Sequence, residues 1–173
     1  SQEVGDSAKL EELKAGPEFL QPPSTIQGDF SVAKECPKIW FGILPGQPAG
    51  AKLWSSWGDA IFAADNKFYA SLGDHDAPYG RAYVYAIDPA AKTIKLVVDV
   101  NKTLGLTDRQ LYGPGKIHAP LIDGGDGWLY FVTYRGGKSG PSFKGDFLLR
   151  YNMESGKAEN LGVMAPDMSV PSL

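Results

Sequence analysis

Leu121 to Tyr134 reads LIDGGDGWLYFVTY: a short apolar run, a turn made of glycine and aspartate, and a β-rich aromatic run. Ala60 to Leu72 reads AIFAADNKFYASL and has the same layout around Asp65-Asn66-Lys67. Apolar alternation on both sides of so short a polar break predicts a β-hairpin at each place. Superposed, Asp65 meets Asp126 and Tyr69 meets Tyr130, an offset of 61 residues that also sets Trp57 on His118.

The likeness continues outward. RAYVYAIDPAAKTIKLVVDV, from Arg81, matches DFLLRYNMESGKAENLGVM, from Asp146, with Asp88 on Asn152 at an offset of 64 residues. The three extra residues fall in the loop RGGKSGPSFKG, which answers to GDHDAPYG in the first copy. Each copy therefore reads as four antiparallel strands joined as an up-and-down meander. The final strands are IKLVVDV and AENLGVM, and the aromatic residues Tyr83, Tyr85, Trp128, Tyr130 and Phe131 are expected in the core between the copies.

The runs DGWLYFVTY and LLRYNMESGKAENLG resemble the Asp-Gly-x-Leu-Tyr-Phe hairpin and the Tyr-Asx-x-x-x-Gly-Lys turn of kelch-like and quinoprotein-like β-propellers. The resemblance spans Trp57 to Met164 and specifies a blade rather than a particular subfamily. The Gly-His and Trp-Asp dipeptides of the tryptophan-aspartate repeats are missing. The resemblance implies an all-β chain with two four-stranded antiparallel propeller-like blades at 57–100 and 118–164. An inter-blade loop occupies 101–117, and a tail at 165–173 leads towards a missing blade. Propeller rings use at least about four blades, so further blades from a longer protein, or other chains, are expected to complete a larger propeller. The competing reading is that the two sheets close on each other as a small sandwich.

Residues 1–37 read as an N-terminal arm with a short helix, in which Ser7 is the N-cap, Leu10 and Leu13 share a face and Gly16-Pro17 is the stop. Residues 38–56 read as a single buried strand, KIWFGIL, followed by a Pro/Gly-rich linker. The 173 residues, 43% of them hydrophobic, suffice for a packed core. The 21 glycines and 13 prolines favour turns over long helices. A net charge of -3 gives no field to hold nucleic acid. No apolar run is long enough to span a bilayer. The lone Cys36 cannot form an internal disulfide, and reads as a buried apolar residue or a link to another chain. SQEVGDSAKL lacks the regions of a signal peptide, and an extracytoplasmic location after removal of a signal is the expectation.

The resembled fold places the long connections on one face and the tight turns on the other. Long loops carry function more often than tight turns do, which selects three groups. Asp74, His75 and Asp76 offer imidazole and carboxylate ligands suited to a divalent metal such as Mn, Fe or Zn, though the set is too small for a closed protein site. The plainer reading of the same residues is a solvated turn. In YGPGKIH, Tyr112, Lys116 and His118 are candidate catalytic groups, with proton transfer and charge as their chemistry; otherwise Gly-Pro-Gly simply bends the chain into a strand. Arg109, Arg135 and Tyr79 are candidate substrate-binding residues.

Two functions compete. One is a binding or assembly module that presents a polar loop face to a ligand or partner chain. The other is a carbohydrate-active enzyme resembling the propeller polysaccharide lyases, in which His118 or Tyr112 removes a proton beside a carboxylate while Lys116, Arg109 and Arg135 hold the anion. Apart from the divalent metal considered at Asp74–Asp76, the sequence identifies no cofactor.

Overall fold

The structure is a computed structural model that describes residues 6–22, 24–47, 56, 58–74, 80–106, 113–135, 144–170 and 173. Twelve strands run through these residues. In chain order they are β1 (Ser7–Lys9), β2 (Glu11–Lys14), β3 (Lys38–Phe41), β4 (Ile61–Phe62), β5 (Phe68–Asp74), β6 (Arg81–Asp88), β7 (Thr93–Asp99), β8 (Pro114–Ile117), β9 (Ile122–Asp123), β10 (Trp128–Arg135), β11 (Gly145–Asn152) and β12 (Ala158–Pro166). A single helical turn, α1 (Val100–Thr103), follows β7, with its first turn capped by the Asp99 carboxylate, which accepts from Lys102 N–H at 3.1 Å. Among the described residues no helix is long and apolar enough to cross a membrane.

The protein is all-β, built from antiparallel sheets. The first has the order β1-β7-β6-β5-β4, and the second the order β12-β11-β10-β8 with β9 also on β10. Both are the meanders that the sequence repeat predicts, and the segments Phe68–Leu72 and Leu129–Thr133 are strand throughout. The equivalence extends to single hydrogen bonds. Asp65 accepts from Lys67 N–H and Asp126 from Trp128 N–H, each two residues on. The hydroxyls of Tyr69 and Tyr130 each donate to those same carboxylates at 2.8 Å. At the other turn Asp88 accepts from Ala91 N–H at 2.8 Å and Asn152 from Ser155 N–H at 2.7 Å. Left-handed backbone falls at matching places: Asn66 and Gly127 (φ 62° and 85°), and Lys92 and Gly156 (φ 55° and 71°). Aspartate and asparagine recur at these turns because a short side chain can take up a backbone N–H that the strands leave over.

The two sheets face each other across one core. Tyr69, Val84 and Val98 of the first meet Leu129, Phe131, Leu149 and Tyr151 of the second, with the Tyr69 and Tyr151 rings 6.1 Å apart. Towards the loop end the backbones come close together. A Cβ on Gly73 would lie 2.1 Å from the Gly115 carbonyl oxygen, and one on Gly80 2.2 Å from that of Gly113, so only glycine fits there. The other face of the first sheet carries Tyr83, Tyr85, Ile94 and Leu96, covered by Ala8, Leu10 and Leu44 of the N-terminal arm. The order of layers is thus arm, first sheet, second sheet.

Several expectations need correction. The arm is not helical at Ser7 to Gly16. Ser7–Lys9 pairs with β7 instead, Leu10 N–H donates to the Lys92 carbonyl at 2.8 Å, and the one 3₁₀ turn lies at Pro17–Leu20. A lone short helix is marginal in water, whereas the edge of β7 offers a row of unpaired backbone groups. The run from Lys38 is not a buried strand: β3 ends at Phe41, pairs only with β2, and leaves Trp40, Phe41 and Ile43 exposed, Ile43 at 83%. Only Leu44 of that run turns into the core. The first strand of the second copy starts at Pro114, inside the segment read as a loop. Phe131 lies between the sheets as expected, but Tyr83 and Tyr85 face the arm, and Trp128 and Tyr130 alternate onto the outer face of the second sheet.

Candidate functional site

At the loop end of the stack, β8, the last strand in the order of the second sheet, comes up against the first sheet. It pairs with β10, Lys116 opposite Tyr134 and Ile117 opposite Thr133, while its Gly113–Lys116 backbone abuts Gly73 and Gly80 of the first sheet. Ile117 turns into the core, so Lys116 turns the other way. Its ammonium lies 4.9 Å from the centre of the Tyr134 ring, and the His118 ring lies 5.1 Å from the same ring. One phenol therefore holds two of the three candidate catalytic residues. Burial pushes the Lys116 ammonium below the ordinary lysine range. A desolvated ammonium beside an imidazole can hold an anion and exchange a proton.

Arg135 ends β10, exposed, two residues beyond Thr133. Asp74 ends β5, buried and opposite Arg81 in register. Tyr112, Arg109, Tyr79, His75 and Asp76 lie outside the described residues. Among the described residues no group of three or more His, Cys, Asp or Glu could hold a metal ion. Cys36 is free and half-buried, its thiol directed at the Gly16 carbonyl at 3.4 Å.

The same end holds a buried polar centre that sequence reasoning missed. Asp146 is 0% exposed. One carboxylate oxygen accepts from Val170 N–H at 2.8 Å, and the other has no hydrogen-bond partner among the described residues. Burial pushes its carboxyl up to about 6, against the opposing pull of Val170 N–H, the Arg135 charge and the Thr133 hydroxyl. Thr133, itself fully buried, accepts from Phe147 N–H at 2.9 Å. The one available signal was a charged residue inside the apolar strand GDFLLRY, where alternation could have turned it either way.

The outer face of the second sheet forms a second candidate surface. Tyr130, Leu148 and Arg150 lie on it by strand alternation, since Leu129, Phe131, Leu149 and Tyr151 face the core. Arg150 is its hub. Its guanidinium sits 4.0 Å from the Trp128 ring and 2.7 Å from the Glu159 carboxylate, which also takes Lys157 at 2.6 Å. These contacts hold Arg150 protonated more firmly and Glu159 ionised more readily than usual. Ile122, paired with Tyr130, is exposed on the adjoining strand, and β12 exposes Leu161, Val163 and Met164 along its edge.

Comparison with protein-family models, with characterised protein sequences and with solved structures finds no match to this chain.

Proposed function

We propose that this chain is a propeller-type binding or assembly module that docks a further antiparallel sheet on the outer face of its second sheet. The observation that carries this reading is the non-equivalence of two equivalent tyrosines. Tyr69 is covered by the Leu149 and Tyr151 face of the second sheet, whereas Tyr130, its repeat partner, stands on a face that no described element covers to the same degree. Repeat architectures bury each unit against its neighbour in the same sense, so the face that fits over Tyr130 is one of the Leu129, Phe131, Leu149 and Tyr151 kind. The arm supplies the corresponding cover at the other end, through Ala8, Leu10 and Leu44.

The chemistry of the open face suits a protein partner. Tryptophan, tyrosine and arginine dominate the energetic centres of protein interfaces, and Trp128, Tyr130 and Arg150 stand together here. Docking is face to face rather than by edge pairing. The free edge strand β12 has register shifts at two places and carries Gly162 at φ 109°, features that blunt strand addition.

In the purified chain the only sheets on offer are those of other copies. Light scattering is therefore expected to give concentration-dependent association above the 18.6 kDa monomer, abolished by Leu148→Asp with cooperative unfolding retained. A chain that stays monomeric at every concentration and binds no apolar dye on this face contradicts the proposal.

A further inference from the structure

At the tight-turn end a cavity of about 400 Å³ lies between the two sheets. One wall is the face of the first sheet formed by Ala86, Asp88, Lys95 and Val97; the other is Tyr151 with the β11–β12 turn, Met153 to Gly156, and Lys67 and Tyr69 complete the lining. It lies among the tight turns, which the sequence reading had set aside, and its lining includes neither Lys116 nor His118.

Three features mark it as a built site. First, Tyr151 is only 6% exposed, and its hydroxyl, which bonds to no described residue, is not one of the buried unpartnered atoms and so stays open to solvent. That hydroxyl lies beside Gly156, where an added Cβ would be 3.8 Å from it, and Gly156 lines the cavity. Burial raises the Tyr151 phenol above the ordinary tyrosine range, with the Asp65 charge adding to the effect, so it stays a neutral donor and acceptor. Second, the Tyr69 and Tyr151 rings, tilted at 55°, give the cavity an aromatic back. Third, the lining charges balance, with Lys67 and Lys95 against Asp88 and Glu154. Lys67 is spent on Asp65 at 2.6 Å, and Asp88 already accepts from Ala91 N–H. Lys95 and Glu154 make no ion pair with each other or with any other described residue.

From this we infer that the cavity binds a small neutral polyhydroxylated ligand, one sugar ring or the end of a short glycan. A cavity of this size is in the range that holds small ligands. An anion would meet as much repulsion as attraction. A neutral polyol can donate to the Glu154 carboxylate, accept from Lys95 and Tyr151, and lay its apolar face on the aromatic back. The site stands independently of the docking face, since none of its lining residues belongs to the Trp128, Tyr130 and Arg150 group.

The test is a titration of the full chain, followed by amide and aromatic NMR shifts, with methyl glycosides of glucose, galactose and mannose, and with glucuronate and glucosamine as charged comparators. At least one neutral glycoside is expected to shift Lys95, Tyr151 and Gly156 together, and more strongly than either charged sugar. Tyr151→Phe, which removes a hydroxyl that bonds to no described residue, should weaken that binding about threefold to tenfold while leaving the spectrum of the free protein folded. The inference falls if no neutral glycoside shifts these residues at millimolar concentration, if a charged sugar binds as well, or if Tyr151→Phe binds unchanged.

Discussion

Asp146→Asn should make the protein more stable above neutral pH and about 1 kcal/mol less stable in acid, where the wild-type carboxyl is already neutral. The carboxyl of Asp146 rises from 3.8 to about 6 on folding. For a carboxyl displaced in this direction the folded state holds its proton more tightly than the unfolded state does. Stability attributable to it is therefore complete below the unfolded value and is lost as pH climbs through the folded one. A displacement of roughly two pH units corresponds to about 3 kcal/mol at most, all of it lost between about pH 4 and pH 7. The amide keeps an oxygen for Val170 N–H, but places an NH₂ where the unpartnered carboxylate oxygen stood. A buried donor without an acceptor costs about 1 kcal/mol or more, so the net gain expected at pH 8 is about 1–2 kcal/mol. The assay is urea unfolding of both proteins at steps from pH 4 to pH 8. Other titrating groups cancel in the difference between the two curves, and only the slope of that difference bears on the argument. A difference that stays flat across the range would show that Asp146 is not desolvated in the folded protein, and would refute the reasoning.

Two further substitutions test the architecture itself. Tyr69→Phe and Tyr130→Phe remove chemically identical hydroxyl-to-aspartate bonds of 2.8 Å. The first, under the second sheet, should cost about 1–2 kcal/mol, and the second, on the open face, under about 0.5 kcal/mol; equal losses in denaturant titrations would mean that the sheets do not cover Tyr69 as described. Gly73→Ala would drive a Cβ to 2.1 Å from the Gly115 carbonyl oxygen and should cost about 2–3 kcal/mol as the sheets are forced apart. A thermal midpoint unchanged by Gly73→Ala would remove the close approach of β5 and β8 from the argument.

The repeat was legible because its signals are local. A turn needs left-handed backbone and a side chain to take the spare N–H whatever surrounds it, so Asp65 with Asn66, and Asp126 with Gly127, mark the same geometry in the chain as in the fold. Strand alternation is equally local, but the sequence reading grouped Tyr130 with Phe131 in the core, and the fold puts them on opposite faces of β10. The candidate site was legible only in part. Lys116 and His118 were picked for their chemistry, but the Tyr134 ring that brings them together belongs to another strand, and no spacing within YGPGKIH could reveal it.

The amino-acid sequence alone determined the all-β class, the two meanders and the register of their turns, since each follows from backbone preferences a few residues long. Tertiary structure decided what each face meets. Identical tyrosines became a covered residue and an outer one because Tyr69 lies between the two sheets, while no described element covers Tyr130 to the same degree. An amphipathic segment at Ser7 became strand because the edge of β7 had hydrogen bonds to give. Asp146 lost its water because burial is a property of the assembled layers and not of the strand that carries the residue.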